Sequence, residues 1–545
     1  MMRLGGLRAA VAFGALALST AASAGVPEAR QCLEANDVPC ARSSLGAVDV
    51  RTEERAEVLA LAAEIEFSAG EYDQALVLMQ RSVDKGFRDR WDNLGLYQRT
   101  ADVMKDFAEE RRGRYIVRFR PGVDYVLLDQ AFEVLEQVEA NVAPLVGGPP
   151  PGPVILEIYP DGRSFTACSS LTEEDVETTG VVALSKWTRL LLTSPRALGR
   201  GYGWQDTIAH EYIHLAVAHR TTNRAPVWLQ EAIAKYLDNR WRDGKDGFRL
   251  GVREQGLLAT ALREEGGWVD PDKDAEAHRG LVSFERMHPS LAKLPSADMA
   301  ALAYAQLASL MSYAYAQGGN QVLQRALPAV ESGRDPRVAV AQAAGGASFE
   351  AFYQGWLAWV RQQRLEGQVI AELPTVLDGG EDAASDPVMA EREDLQRWLR
   401  LGDLLREADR PKAALVEYEK AVVEDEPLSP LLANRIAQVS LQLGDAKRAR
   451  SVLENSLASY PEFALTHKTL GQLWMAEGQG ASARGAFARA VDLNPFDPEV
   501  QQALAELARA AGDGAAAARH DRYLRILRRG GPEPHSVKLL QEAEE

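Results

Sequence analysis

The stretch "DTIAHEYIHLAVAH" (206–219) places His210 and His214 four residues apart, with Glu211 beside the first. On a helix, residues four apart share a face, so the two imidazoles project together and can bind one metal ion. A catalytic zinc takes three protein ligands and keeps a position for water, so a third ligand is expected elsewhere. Downstream, "APVWLQEAIAKYL" (225–237) opens with Pro226, a good first helical residue, and carries Glu231. A short loop and a return helix would bring Glu231 to the two histidines; Asp238, two turns further on, is the next candidate. Zinc lowers the pKa of bound water to near 7 and polarises a carbonyl. Glu211 could then accept the water proton and return it to the leaving amine. The ordinary alternative is a helix whose histidines cap a polar patch beside a surface glutamate, in a chain with only 8 His among 545 residues.

Hydrolysis through a tetrahedral intermediate also needs a donor to the oxyanion. Tyr304, Tyr313, Tyr315, Tyr236, His278 and His288 are candidates, with Tyr304 in "ALAYAQ" first; core packing is the ordinary role of a tyrosine there. Asp206, one turn before His210, could orient a ligand imidazole or simply begin the helix. His219 falls off the ligand face and is expected at the surface. His467, His520 and His535 lie outside this segment.

The elements that must hold these groups follow from periodicity. "RYIVRFRP" (114–121) alternates as a strand, "LLDQAFEVLEQVEANVAPL" is helical, and "GGPPPGP" turns into a second strand, "VILEIYP" (154–160). "TRLLLTSP" (188–195) is a third, either an edge able to pair with an extended peptide or an inner strand. Helices dominate from Trp204 onward, so residues 111–366 are expected as an α+β unit of mixed sheet and helices. "LDGGEDAASDP" (377–387), within a linker over 367–393, closes it.

The C-terminal third repeats. Gly444, Gly478 and Gly512 are 34 apart, as are Ala449, Ala483 and Ala517, and Pro427, Pro461 and Pro495. Gly402, Ala414, Tyr418 and Ala421 extend the series back by 35. This period, with small residues where two helices cross, resembles tetratricopeptide repeats. "LGQLWMAEGQGASARGAFARAVDLNP" (470–495) matches that family almost position by position. Residues 394–526 are expected as an α-solenoid of three full repeats and a fraying fourth, followed by a tail over 527–545. "ALAAEIEFSAGEYDQALVLMQRSV" (60–83) is a fainter relative, within a helical, degenerate repeat-like region over 25–110.

His210-Glu211-Tyr212-Ile213-His214, followed by Pro226-Val227-Trp228-Leu229-Gln230-Glu231-Ala232, resembles the gluzincin metallopeptidases. Within them it is similar to the peptidase-MA-like domains often fused to tetratricopeptide repeats. The resemblance covers roughly 114–363 and implies a zincin-like fold, one Zn2+ held by His210, His214 and Glu231, and Glu211 as general base. The family commonly has Gly where this chain has Ala232, which bears on how closely the two helices pack.

Bulk properties bound the rest. Arg3 and Arg8 flank "AAVAFGALALSTAASA", which ends in Ala22-Ser23-Ala24. This pattern is expected to act as a cleavable signal peptide over 1–24 and to send the chain to the periplasm or outside the cell. No other stretch is apolar enough for a membrane span. Loss of the two arginines would take the formal charge from −17 to −19, which argues against nucleic acid as a partner. Export would permit a disulfide between Cys32 and Cys40; Cys168 reads as a buried small hydrophobe. The leading expectation is an exported zinc endopeptidase acting on protein or peptide substrates, its repeats recruiting substrates or protein partners. The alternative is an envelope scaffold whose metallopeptidase-like domain is inert. A metal-dependent hydrolase of a non-peptide is a third reading.

Overall fold

Val154–Tyr159 is apolar at every position except Glu157 and is buried throughout, the pattern of a strand covered on both faces. In the computed structural model, which describes residues 25–46, 48–244, 250–263, 280–365, 392–423 and 426–531, it is the middle strand of a five-stranded sheet. With β1 Ala108–Arg112, β2 Tyr115–Phe119, β3 Val154–Tyr159, β4 Ala183–Lys186 and β5 Arg189–Thr193, the order is β1-β2-β3-β5-β4. β2, β3 and β5 run parallel, and β1 and β4 add antiparallel at the two edges. "RLLLT" is therefore an inner strand, and the edge beside it is β4. Neither edge strand was expected: "AEERR" and "ALSK" are polar because an edge faces solvent, so they carry no apolar alternation. β1 also begins before residue 111, where the α+β unit was expected to start.

The two faces of the sheet are covered differently. Leu156, Ile158, Leu190 and Leu192 pack into the main core with α4 Leu128–Asn141, α5 Trp204–Arg220, α6 Val227–Leu237 and α7 Ala297–Gly318. The opposite face, through Tyr159 and Leu191, meets a smaller cluster with Phe165 and Cys168. Cys168 is buried, as expected, and burial pushes its thiol up to about 12.

N-terminal helices α1 Ala56–Ser68, α2 Tyr72–Asp84 and α3 Asn93–Met104 form a hairpin and a third helix. Cys32 and Cys40 ahead of them are joined as a disulfide with Cα atoms 5.6 Å apart. These helices are fastened to the sheet by a buried polar knot. Arg189 Nη1 lies 3.2 Å from Glu157 Oε2, Tyr159 donates to the same oxygen at 2.8 Å, and Tyr72 bonds both Glu157 and Arg189. The Arg189 guanidinium also stacks 4.6 Å from the Phe67 ring centre. Arg189 and Glu157 are both fully buried, so removing one charge strands the other. Glu157→Leu is expected to destabilise the fold by about 3–5 kcal/mol, measured by urea unfolding.

Beyond residue 391 four helix pairs are described: Glu393–Glu407 with Pro411–Lys420, Pro430–Gln442 with Ala446–Ser459, Ala464–Ala476 with Gly480–Leu493, and Pro498–Ala510 with Gly514–Arg529. Ala414, Ala449 and Ala483 are fully buried where the helices of a pair cross. A Cβ at Gly471 would lie 2.8 Å from the Phe487 ring. Gly444, Gly478 and Gly512 turn between helices with φ of +81°, +73° and +76°. Asp409 does the same in the first pair at +56°, since a short polar side chain tolerates that region; this hid the first turn from a glycine count. The fourth pair does not fray. Its last helix runs to Arg529, past the expected boundary at 526, because Tyr523 and Ile526 enter the main core. Tyr523 donates to Asp129 on α4 at 2.8 Å, and Arg522 pairs with the same carboxylate. Among the described residues no helix is long and apolar enough to cross a membrane. The expected signal peptide, the linker at 377–387 and the tail beyond 531 lie outside the described residues.

Candidate metal centre

α5 starts after Gly203 and buries Ile208, Tyr212, Ile213 and Ala216 against the sheet side. That leaves His210 and His214 on the face towards α6. Pro226 proves to be the capping residue of α6, one position ahead of the first helical residue Val227. Leu229, Ala232, Ile233 and Ala234 are fully buried, and their packing seats Glu231 opposite the histidines. Ala232 is accommodated with no exposure at all.

The three donors converge. His210 Nε2 and His214 Nε2 are 3.1 Å apart, and Glu231 Oε2 lies 3.3 and 3.4 Å from them. All three groups offer ligand atoms within 4.8 Å of one another. At zinc–ligand distances of about 2.0–2.1 Å, the edges of a coordination tetrahedron are about 3.3 Å, so the spacing suits that ion. Glu231 Oε2 makes no well-aligned hydrogen bond, and its close neighbours are the two imidazoles. A carboxylate in the interior is costly unless positive charge sits beside it. Burial opposes ionisation of Glu231, yet His214 and His210 hold its carboxyl far below the usual range. The residues fit zinc.

Glu211 is buried one position from a ligand. Burial raises its carboxyl, against the pull of His214 and His210, and its carboxylate faces the backbone N–H of Ser185 on edge strand β4. Tyr304, on α7, puts its ring 6.5 Å from that of His210. Burial, then the charges of Glu231 and Glu211, push its hydroxyl well up, so it stays protonated and able to donate. The other oxyanion candidates are engaged elsewhere. Tyr236 and Tyr315 pack on each other at 4.6 Å with Arg240 across them, Tyr313 packs on Phe352 and Trp359, His288 is exposed, and His278 lies outside the described residues. His219 is half-buried rather than at the surface, with Nδ1 inside.

Asp206 does not orient a ligand. Its carboxylate bonds Trp241 Nε1 at 2.7 Å and pairs with Arg242. Asp238 takes that place, 3.7 Å from His210 Nδ1. Burial would raise the Asp238 carboxyl, but Lys235, 3.1 Å away, and His210 hold it below its ordinary value. Asp238 therefore addresses Nδ1 of the ring, and Glu231 addresses Nε2. The seven-residue spacing of Glu231 and Asp238 puts both on one helix face, a signal present in the sequence that marks position but not role.

Comparison with known proteins bears on the repeats. A family model described as tetratricopeptide repeat matches residues 440–507. A search of curated proteins finds no match. Solved structures with likeness include MamA residues 41 to the end from Desulfovibrio magneticus RS-1, at 25% identity, covering 26% of this chain and 78% of that one with a TM-score of 0.23. PilW, titled a widely conserved type IV pilus biogenesis factor, shows 15% identity over 38% of this chain and 96% of its own, also with a TM-score of 0.23. TM-scores this low carry no argument about the rest of the chain. The C-terminal segment is a tetratricopeptide-type scaffold, the architecture that builds extended surfaces for protein contacts.

Proposed function

We propose that this protein is a zinc-dependent peptidase of the gluzincin type, with tetratricopeptide repeats that bind protein substrates or partners. The observation that carries the reading is the convergence of His210, His214 and Glu231 Oε2, with the Glu211 carboxylate buried next to them. Zinc held by His210, His214 and Glu231 would supply a Lewis acid at the scissile carbonyl. Glu211 takes the proton of the attacking water as its oxygen bonds the carbonyl carbon. When the C–N bond breaks, Glu211 returns that proton to the leaving amine. The Tyr304 hydroxyl would donate to the oxyanion, a role supported by its ring lying 6.5 Å from that of His210. β4 favours an extended peptide as substrate, because it is an edge strand and its Ser185 N–H faces Glu211. Export through residues 1–24 would place this activity in the periplasm or outside the cell.

A second reading, a scaffold whose metal site is inert, is favoured by the family match, which falls wholly on the repeats. A digest of an unbiased peptide library by the zinc-loaded full chain decides between them. Cleavage that zinc removal and Glu211→Ala both abolish is expected. Absence of cleavage by a chain shown to hold one zinc would leave the scaffold reading standing.

A further inference from the structure

The third repeat does not hang free of the sheet-bearing unit; it grips the segment that leads into the helix bearing the histidines. The backbone N–H of Ala464 donates to Arg200 O at 3.0 Å, and that of Tyr202 donates to Leu493 O at 3.2 Å. Gly201 sits between these bonds with φ +72°, and a Cβ there would fall 2.6 Å from Leu493 O. The repeat backbone thus approaches as closely as a side-chain-free residue allows. Gly203, which caps α5, has Glu462 Oε1 only 3.2 Å from where its Cβ would be. The third repeat, residues 462–494, therefore fixes the start of α5 two turns before His210.

On its other side His210 is held from within its own unit: Lys235 lies 3.1 Å from Asp238, which lies 3.7 Å from His210 Nδ1.

We propose that the third repeat is a positioning element of the metal centre, acting through its clamp on residues 200–203. This rests on the zinc-site reading above. It makes the repeats more than a recruiting arm, since one of them holds the start of the helix that carries His210. Coupling of this kind is reciprocal: zinc that fixes His210 also tightens residues 462–494.

The test uses the full chain and zinc affinity, read by competition with a chromogenic chelator, so that it does not depend on turnover. Asp238→Asn is expected to weaken zinc about 10–100-fold, the usual cost of losing a group that orients a ligand imidazole. Gly201→Ala and Gly201→Val, whose Cβ would meet Leu493 O, should each weaken it about threefold or more and alter the visible absorption of the Co2+-substituted protein. Glu417→Gln, on the first repeat, should do neither. Hydrogen exchange of wild-type residues 462–494 should slow when zinc is added. Circular dichroism of the zinc-free variants separates positioning from misfolding, and Gly201→Ala alone suffices where Gly201→Val does not fold. Unchanged affinity and Co2+ spectrum in folded Gly201→Ala, with zinc bound normally by the wild type, would overturn the proposal and leave the zinc site intact. A wild-type chain that holds no zinc would overturn both.

Discussion

Glu211→Ala is expected to keep its zinc and its fold while turnover on a peptide pool drops by about 10²-fold or more, the scale of losing a positioned acid–base group. The split between binding and chemistry follows from geometry. The converging donor atoms belong to His210, His214 and Glu231, and Glu211 stands next to them facing Ser185 on β4. Its removal takes a carboxylate out of a buried position where ionisation is already disfavoured by burial, so stability should hold or rise. Zinc content by metal analysis and rates on the same preparation measure the two halves. Equal rates for wild type and variant, with zinc present in both, would end the peptidase reading.

Glu231→Gln should have the complementary effect, with zinc affinity falling roughly a hundredfold or more and the zinc-free fold retained. The amide keeps the shape of the side chain between Leu229 and Ile233 but removes the charge that draws a cation between the two imidazoles. Oε2 lies 3.3 and 3.4 Å from the two imidazoles, and an amide oxygen keeps that spacing without the charge. Chelator competition and thermal unfolding of the zinc-free protein check the two parts. Undiminished zinc would require another third ligand. Asp238 is poorly placed for it, because it approaches Nδ1 of His210 while the ligand atoms gather at Nε2.

Features that depend on short-range spacing are legible in the amino-acid sequence. His210 and His214 share a face at any helical geometry, and a return helix from Pro226 needs only a short loop to present Glu231. The 34-residue period exposes the repeats because each helix pair buries its small residues against a neighbour at a fixed offset. Inner strands such as Val154–Tyr159 stand out by their apolar runs.

What depends on long-range contact is not legible there. The polar edges β1 and β4 exist because a neighbouring strand offers unpaired backbone groups, not because of their own side chains. Asp206 and Asp238 are alike in sequence as partners for an imidazole; only the packing of α6 on α5 sends one to Trp241 and the other to His210. The fourth repeat was expected to fray, and instead Tyr523 and Ile526 give it a place in the main core. The sequence by itself determined the helix that pairs His210 with His214, the carboxylate beside it and the repeat period, since these are set by residues within one or two turns of each other or by a fixed offset between like units. The tertiary structure alone decided which carboxylate faces His210 Nδ1, which strand forms the open edge and how the repeats seat against residues 200–203. Each of those is a contact between segments far apart in the chain, and its geometry belongs to the packed whole.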